Sequence, residues 1–211
     1  MKYKCIIFDC DGVLVDSEAI SIGTLVDMAA SHGAIIDENF AHQHFLGKSL
    51  EFCFDYIADL ANKQLPDDFE EDFRARTFEA FQKELQPIKG IHELLANIKV
   101  PIAVASNGPA DKIKLNLTTT KLIDKFNGNI FSAYDINSWK PNPELYLHAA
   151  KTMGFEVEDC VIIEDSPAGV QAALAGGFDV FGFTNHVNFD VLQQMNIPLF
   201  DDMAQLHLLL Q

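Results

Sequence analysis

The sequence has few basic residues, with 15 lysines and arginines against 31 aspartates and glutamates and a formal net charge of −16 at pH 7. A protein that grips the phosphate backbone of nucleic acid needs basic patches, so we expect no nucleic-acid partner. No apolar run approaches the roughly 20 residues of a membrane-spanning helix, so we expect no membrane association. Internal repeats and low-complexity tracts are also lacking, which favours an ordinary globular fold.

The chain has only four cysteines, and their spacing does not match a zinc site. Cys5, Cys10 and Cys160 lie in or beside predicted buried strands, which indicates reduced thiols in a cytoplasmic protein. The apolar segment before Asp9 is shorter than the roughly 7–15-residue apolar core of a signal peptide. No heptad seam is present, so a monomer is our expectation.

Short apolar runs alternate with helical patterns over most of the sequence. The predicted strands are residues 5–8, 100–105, 130–133, 160–163, 178–183 and 198–200. This alternation predicts an α/β fold with a parallel sheet covered on both faces. Residues 17–86 interrupt it with helical patterns alone. We therefore predict a core of residues 1–16 and 87–211, with residues 17–86 inserted as a helical cap domain.

The first predicted strand leads into two carboxylates, Asp9 and Asp11, followed by Gly12. Residues two apart share a face if the strand continues through them, so both carboxylates could reach one site. An acidic turn that caps a helix is the alternative for this stretch taken alone. Cys10, between them, is either a nucleophile or a small spacer, and the lack of a nearby basic residue favours the spacer.

Polar residues also follow later strands and turns: Ser106 and Asn107, Lys140, and Glu164 with Asp165. The carboxyl ends of parallel strands meet at one edge of a sheet, where ligands bind in open α/β folds. No Gly-x-Gly-x-x-Gly follows the first strand and no Walker loop is present, which argues against ordinary dinucleotide and nucleoside-triphosphate sites. We therefore expect these residues to form a different kind of phosphate site.

Each of these residue types suits one part of phosphate chemistry. The carboxylates of Asp9 and Asp165, with the Asp11 carbonyl, are hard oxygen ligands for Mg²⁺, and Glu164 is expected to hold a metal-bound water behind Asp165. Ser106 and the backbone near Asn107 would bind phosphate oxygens, and Lys140 would supply positive charge; a surface lysine is the alternative.

Two acidic side chains divide the predicted chemistry between them. Asp9 would attack phosphorus to form an aspartyl-phosphate. Asp11 would protonate the leaving alcohol and then take a proton from the hydrolytic water. The same two residues therefore serve as nucleophile and proton carrier.

Four motifs in order resemble those of the haloacid dehalogenase superfamily, in its phosphatase branch with a helical cap and its β-phosphoglucomutase-like group. The matching segments are residues 8–14, 106–108, 140–143 and 162–169, which extend across most of the chain. The resemblance implies a Rossmann-like core with strand order 5-4-1-2-3, a Mg²⁺ cofactor and Asp9 as nucleophile. Phosphatases and mutases of the family carry an aspartate at the position of Asp11.

The predicted cap offers little chemistry. Lys48 lies in the break between two cap helices, residues 45–49, and either contacts the substrate or is an unspecific surface lysine. Arg74 and Arg76 either line the cleft or lie on a solvated helix face.

The function predicted from the sequence is Mg²⁺-dependent hydrolysis of a small phosphorylated metabolite. The substrate class is a sugar phosphate or a sugar-acid phosphate, with 6-phosphogluconate as one candidate. A phosphomutase that keeps the same intermediate is the first alternative. A non-catalytic metabolite-binding protein is the second, and the intact set of catalytic residue types argues against it.

Overall fold

A computed structural model describes residues 2–45, 48–185 and 188–210. The chain divides into two compact units, Met1–Asp16 with Gln86–Gln211 and Ser17–Leu85. These limits lie within one residue of the predicted core and insert. The first unit is α/β and the second is helical. The role of the helical unit as a cap stays a prediction.

The α/β unit is built on a six-stranded sheet in which every pairing is parallel. From one edge to the other the strands are β5 (Ile130–Ser132), β4 (Ile102–Ser106), β1 (Cys5–Phe8), β6 (Cys160–Glu164), β7 (Asp179–Phe183) and β8 (Leu199–Phe200). When β1, β4, β5, β6 and β7 are counted as strands 1 to 5, the order from β7 to β5 is the expected 5-4-1-2-3. Strand β8 is added beside β7 at one edge. The predicted α/β fold with a Rossmann-like parallel sheet is confirmed.

The central strands β4, β1 and β6 are buried along their whole length. Helices cover a parallel sheet on both faces, which explains why these strands read as continuous apolar runs rather than alternating ones. Ile7 and Ile162 pack with Tyr146 and Val170 from two helices in one apolar cluster. This packing fixes the positions of the loops that follow the strands.

The helices of the α/β unit follow or connect its strands. They are α5 (Ile91–Asn97), α6 (Ala110–Thr119), α7 (Ala133–Ile136), α8 (Glu144–Met153), α9 (Pro167–Ala175), α10 (Phe189–Gln193) and α11 (Met203–Leu209), with 3-10 turns at Ile123–Lys125 and Val157–Asp159. Their positions between and after the strands agree with the alternation of apolar runs and helical patterns in the sequence.

The two segments that flank the helical insert pair with each other. Val15–Asp16 forms strand β2 and Gln86–Pro87 forms strand β3, and the two strands run antiparallel. The chain therefore leaves and re-enters the α/β unit through one small ribbon. Neither two-residue strand carries a sequence signal of its own.

The helical unit has its own apolar core. Its helices are α1 (Glu18–Ser31), α2 (Glu38–Phe45), α3 (Leu50–Ala61) and α4 (Phe69–Glu84). Met28, Ile57 and Phe73 are among the buried residues at its centre. Arg74 and Arg76 pair with acidic residues four positions earlier on an exposed face of α4, as expected for a solvated helix face. Across the described ranges, no helix has the length and hydropathy that a membrane span requires.

Candidate active site

Asp9 lies at the carboxyl end of the central strand β1. Its backbone N–H donates to the Ile163 carbonyl at 2.9 Å, which extends the β1–β6 ladder to the first residue after β1. The neighbouring strands β4 and β6 end at Ser106 and Glu164. Parallel pairing thus brings these three strand ends to one edge of the sheet.

Lys140 joins two of the acidic residues. Its Nζ donates to Asp9 Oδ1 at 2.7 Å and to Glu164 Oε1 at 2.6 Å. All three side chains are almost completely buried, so Lys140 is not a surface lysine. Its backbone is fixed by Asn107, whose Oδ1 accepts from the Lys140 N–H at 2.9 Å. The Asn107 side chain therefore holds the lysine loop, which the sequence does not predict.

Glu164 is surrounded by donors. Its Oε1 accepts from Lys140 and from the Tyr146 hydroxyl at 2.9 Å, and its Oε2 accepts from the backbone N–H of Asp165 and from the N–H and hydroxyl of Ser166. A Cβ at position 169 would overlap the Glu164 carboxylate, so Gly169 allows α9 to begin directly against it. These bonds engage both oxygens of Glu164, so it acts as an anchor for its neighbours.

Asp9, Glu164 and Asp165 form an acidic cluster in which one oxygen of each lies within 4.8 Å of the others. A Cβ at position 12 would overlap the Asp165 carboxylate, and Gly12 has a φ of 80°, a conformation that favours glycine. Asn188 Nδ2 donates to the Asp165 carbonyl at 2.8 Å and fixes this loop to the end of β7. Glu164 accepts from five donors, which makes it the least suited of the three to bind a cation, so Asp9 and Asp165 are the candidate carboxylate ligands. Such hard oxygen donors fit Mg²⁺.

The Asp11 side chain does not join this acidic cluster. Its Oδ2 accepts from Lys112 Nζ at 2.7 Å, and its Oδ1 accepts from Asn116 Nδ2 at 3.2 Å. Strand β1 ends at Phe8, so it does not continue through Asp9 and Asp11 and the strand periodicity does not apply to them. That both carboxylates serve one site stays a prediction. The predicted Mg²⁺ ligand at Asp11 is its backbone carbonyl, and that contact stays a prediction.

Ser106 closes strand β4 and begins the turn into α6. Its Oγ accepts from the Gly108 N–H at 3.0 Å, which leaves the hydroxyl hydrogen to donate elsewhere. The helix then starts at Ala110. The Ser166 hydroxyl accepts from the Gly169 N–H at 3.1 Å and caps α9.

Burial and neighbouring charges shift the pKa values in the site. Burial, together with the negative charge of Glu164, raises the pKa of Asp9 to about 7 despite the opposing effect of Lys140. Burial alone would lower the pKa of Lys140, but Asp9 and Glu164 raise it well above its ordinary value. Burial would raise the pKa of Glu164, but Lys140 and the hydrogen bonds around it hold that pKa below its ordinary value. The site thus holds a charged lysine and a charged Glu164.

Cys10 and Lys48 are two other residues that the sequence offers as candidates. Burial raises the pKa of the Cys10 thiol well above its ordinary value, which favours the spacer role over a nucleophile. All four cysteines are free and buried. Lys48 is exposed in the helical unit, with its Nζ 5.7 Å from the centre of the Phe52 ring. Residues 46 and 47 of the predicted break lie outside the described residues.

Sequence reasoning misses four residues of the site: Lys112, Asn116, Tyr146 and Asn188. Lys112 and Asn116 are four positions apart on α6, so they share a helix face, and this spacing is a signal that the sequence does contain. Tyr146 reads as an ordinary core aromatic within α8. Asn188 is far from the other residues in sequence and carries no local signal.

Residues 6–183 match the sequence pattern of the haloacid dehalogenase-like hydrolases, and the chain belongs to this family. It is 34% identical over 210 residues to the 6-phosphogluconate phosphatase of Escherichia coli, a match that covers 97% of this chain and 93% of that one. With this family and this relative, the chain is a phosphoric monoester hydrolase.

Solved structures agree with this assignment. A haloacid dehalogenase-like protein from Agrobacterium tumefaciens superposes with a TM-score of 0.88 and 26% identity, over 99% of this chain and 97% of that one. A family hydrolase from Deinococcus radiodurans, solved with bound phosphate and sodium, superposes with a TM-score of 0.83 and 28% identity, over 97% and 93% of the two chains.

Proposed function

We propose that this enzyme is a Mg²⁺-dependent phosphatase that hydrolyses a small sugar phosphate or sugar-acid phosphate through an aspartyl-phosphate on Asp9. One observation carries the proposal. Lys140 is buried between Asp9 and Glu164, beside Asp165, at the edge where β4, β1 and β6 end. Such a cluster of carboxylates with a single lysine suits a dianionic phosphate together with a divalent cation.

Asp9 and Asp165, with the Asp11 carbonyl, would hold the metal. Mg²⁺ typically binds through one or two carboxylates and the phosphate of the substrate. When bound, the ion supplies positive charge that offsets the carboxylates and the equatorial phosphate oxygens. Glu164 would hold Lys140 and the Asp165 loop in place, because its two oxygens already accept from these groups.

The phosphate oxygens would contact three groups of this chain. The Ser106 hydroxyl and the backbone N–H groups near Asn107 lie between the end of β4 and the start of α6. The start of a helix favours an anion, since its first N–H groups lack intrahelical partners. Lys140 would donate to another oxygen and stabilise the charge that develops during transfer.

The reaction then needs two proton transfers. The Asp9 carboxylate attacks phosphorus, the bond from phosphorus to the leaving oxygen breaks, and that oxygen takes a proton from Asp11. In the second half, a water attacks the phosphoryl group, the Asp9–phosphorus bond breaks, and Asp11 takes the proton of the water. Asp9 returns to a carboxylate and inorganic phosphate leaves.

The substrate class comes from the relative in E. coli, whose name gives 6-phosphogluconate as its substrate. We propose a sugar phosphate or sugar-acid phosphate for this enzyme, with 6-phosphogluconate as the first compound to test. Lys48 of the helical unit is proposed to contact the substrate.

The test is phosphate release from a panel of phosphorylated sugars and sugar acids, with Mg²⁺ and then with excess EDTA. We expect release from at least one compound, its loss with EDTA, and no release by the Asp9→Asn variant. Conversion of glucose 1-phosphate to glucose 6-phosphate without phosphate release would identify a phosphomutase instead. Binding of these compounds without any turnover would identify a metabolite-binding protein.

A further inference from the structure

We propose that Lys112 and Asn116 are positioning residues that hold the Asp11 carboxyl group for proton transfer and keep it out of the metal-binding cluster. This inference rests on the proposed function, because it concerns the residue that would protonate the leaving group. Neither residue belongs to the four motifs that carry the family resemblance.

The contacts engage both oxygens of one carboxylate. Lys112 Nζ lies 2.7 Å from Asp11 Oδ2, and Asn116 Nδ2 lies 3.2 Å from Oδ1. Both donors come from the same face of α6, one turn apart. A carboxylate held at both oxygens by one rigid helix has its two side-chain torsions fixed, whereas a single partner would let it rotate.

These two contacts explain how Asp9 and Asp11, which are two residues apart, can have different roles. The acidic cluster contains Asp9, Glu164 and Asp165, and the Asp11 carboxylate is not a member. A divalent cation beside Asp9 would attract any loose carboxylate two residues away. Lys112 and Asn116 hold the Asp11 side chain on the α6 side, apart from that cluster.

Asn116 supplies an independent observation. It is completely buried, and among the described residues its Oδ1 has no hydrogen-bond partner. A buried, unsatisfied amide oxygen is unfavourable for stability, so an apolar residue would suit the interior of α6 better. The contact of its Nδ2 with Asp11 gives a reason for an asparagine at this position.

The test compares leaving groups, because proton donation matters most when the leaving oxygen is strongly basic. The Lys112→Met variant is assayed on the sugar phosphate that wild type hydrolyses best and on p-nitrophenyl phosphate, whose leaving phenolate needs little help. We expect kcat on the sugar phosphate to fall about tenfold or more, and kcat/KM on the aryl ester to fall by less than about threefold. KM for the sugar phosphate should change by less than about twofold, since the proposed role of the lysine does not include binding the substrate.

Two further variants complete the experiment. Lys112→Arg keeps a cation that can donate to Asp11 and should recover part of the lost kcat. Lys114→Met removes an exposed lysine from the same helix and should leave both activities at the wild-type level. Circular dichroism of each variant verifies that α6 and the fold persist.

The outcomes separate the two levels of the proposal. An unchanged kcat, an equal loss on both substrates, or a raised KM with retained kcat would overturn the positioning role. If wild type does not hydrolyse the aryl ester, the changes in kcat and KM for the sugar phosphate are sufficient to test the positioning role. A wild-type enzyme without phosphatase activity, or an active Asp9→Asn variant, would refute the proposed function itself.

Discussion

The ammonium group of Lys140 lies 2.7 Å from Oδ1 of Asp9, and both side chains are almost completely buried. The same ammonium group also contacts Glu164, and Asp165 lies in the same cluster. One lysine beside three carboxylates leaves an excess of negative charge. A divalent cation would offset that excess and allow a phosphate dianion to enter, which is the basis of the proposed function.

Replacing Lys140 tests the energetic side of this relationship. Lys140→Met leaves the Asp9 and Glu164 carboxylates buried without their cation, and breaking a buried ion pair costs about 3–5 kcal/mol. We expect a loss of that size in the free energy of unfolding, measured with urea in metal-free buffer. The exposed Lys151 on α8 provides the control, and Lys151→Met should stay within about 0.5 kcal/mol of wild type. Equal stability of the two variants would contradict this view of Lys140.

Tyr146 donates one hydrogen bond to the charged Glu164 carboxylate from a fully buried position. Tyr146→Phe removes that donor alone, and hydrogen bonds to charged groups contribute about 1.5–3 kcal/mol. We expect a loss of this size in urea unfolding. Tyr134 is 46% exposed, so Tyr134→Phe should change stability by less than about 0.5 kcal/mol. A Tyr146→Phe variant that is as stable as wild type would contradict this prediction. It would show that the other donors to Glu164 stabilise its carboxylate without Tyr146.

Gly12 is required where the turn approaches Asp165. Gly12→Ala combines a positive φ with a direct overlap of its Cβ and the Asp165 carboxylate, so we expect Mg²⁺ binding and turnover to fall at least tenfold. At Gly23, within α1, an added Cβ would meet no atom within 4 Å. Gly23→Ala should therefore raise stability by about 0.5–1 kcal/mol and leave turnover unchanged. Isothermal calorimetry and thermal unfolding measure the two effects, and normal Mg²⁺ affinity in Gly12→Ala would refute the close approach.

The raised pKa of Asp9 predicts a pH dependence of metal binding. Without metal, Asp9 carries a proton below about pH 7, and a bound cation must displace it. Mg²⁺ affinity should therefore rise with pH up to about 7, by about tenfold per unit, and level off above it. Calorimetry at pH 6 and pH 8 measures this change. The Asp9→Asn variant, which lacks the titrating group, should show weaker binding without the tenfold change, and equal wild-type affinity at both pH values would contradict the prediction.

The raised pKa of Asp9 also makes the stability of the metal-free protein depend on pH. This stability falls over the pH range in which Mg²⁺ affinity rises. The pKa of Asp9 is higher in the folded state than the value of about 3.9 in an unfolded chain. The folded state then binds more protons between about pH 4 and pH 7, so this residue's contribution to stability falls as the pH rises through that window.

The sequence is a good guide to the centre of the site. Asp9, Ser106 and Glu164 each stand at the end of an apolar run, and parallel strands necessarily bring such ends to one edge. For Lys140, the sequence predicts only that it supplies positive charge at that edge of the sheet. Its burial between two carboxylates depends on Asn107 and on the packing of α8, which no local pattern encodes.

Other parts of the molecule depend on contacts between distant residues. β2 and β3 are two-residue strands separated by about seventy residues, and their pairing leaves no trace in local periodicity. The direction of the Asp11 side chain likewise depends on which face of α6 packs toward the loop after β1. Lys112 and Asn116 have helical spacing, but spacing alone does not reveal their partner.

The most direct test of the central claim is the detection of a phosphoryl group on Asp9. The enzyme is mixed with Mg²⁺ and its best sugar-phosphate substrate, quenched in acid within the first turnovers, digested and analysed by mass spectrometry. The proposed mechanism predicts a phosphorylated peptide that contains Asp9, which disappears as substrate is exhausted and never forms in Asp9→Asn. Phosphate release without any phosphorylated Asp9 peptide, together with full turnover by Asp9→Asn, would contradict it.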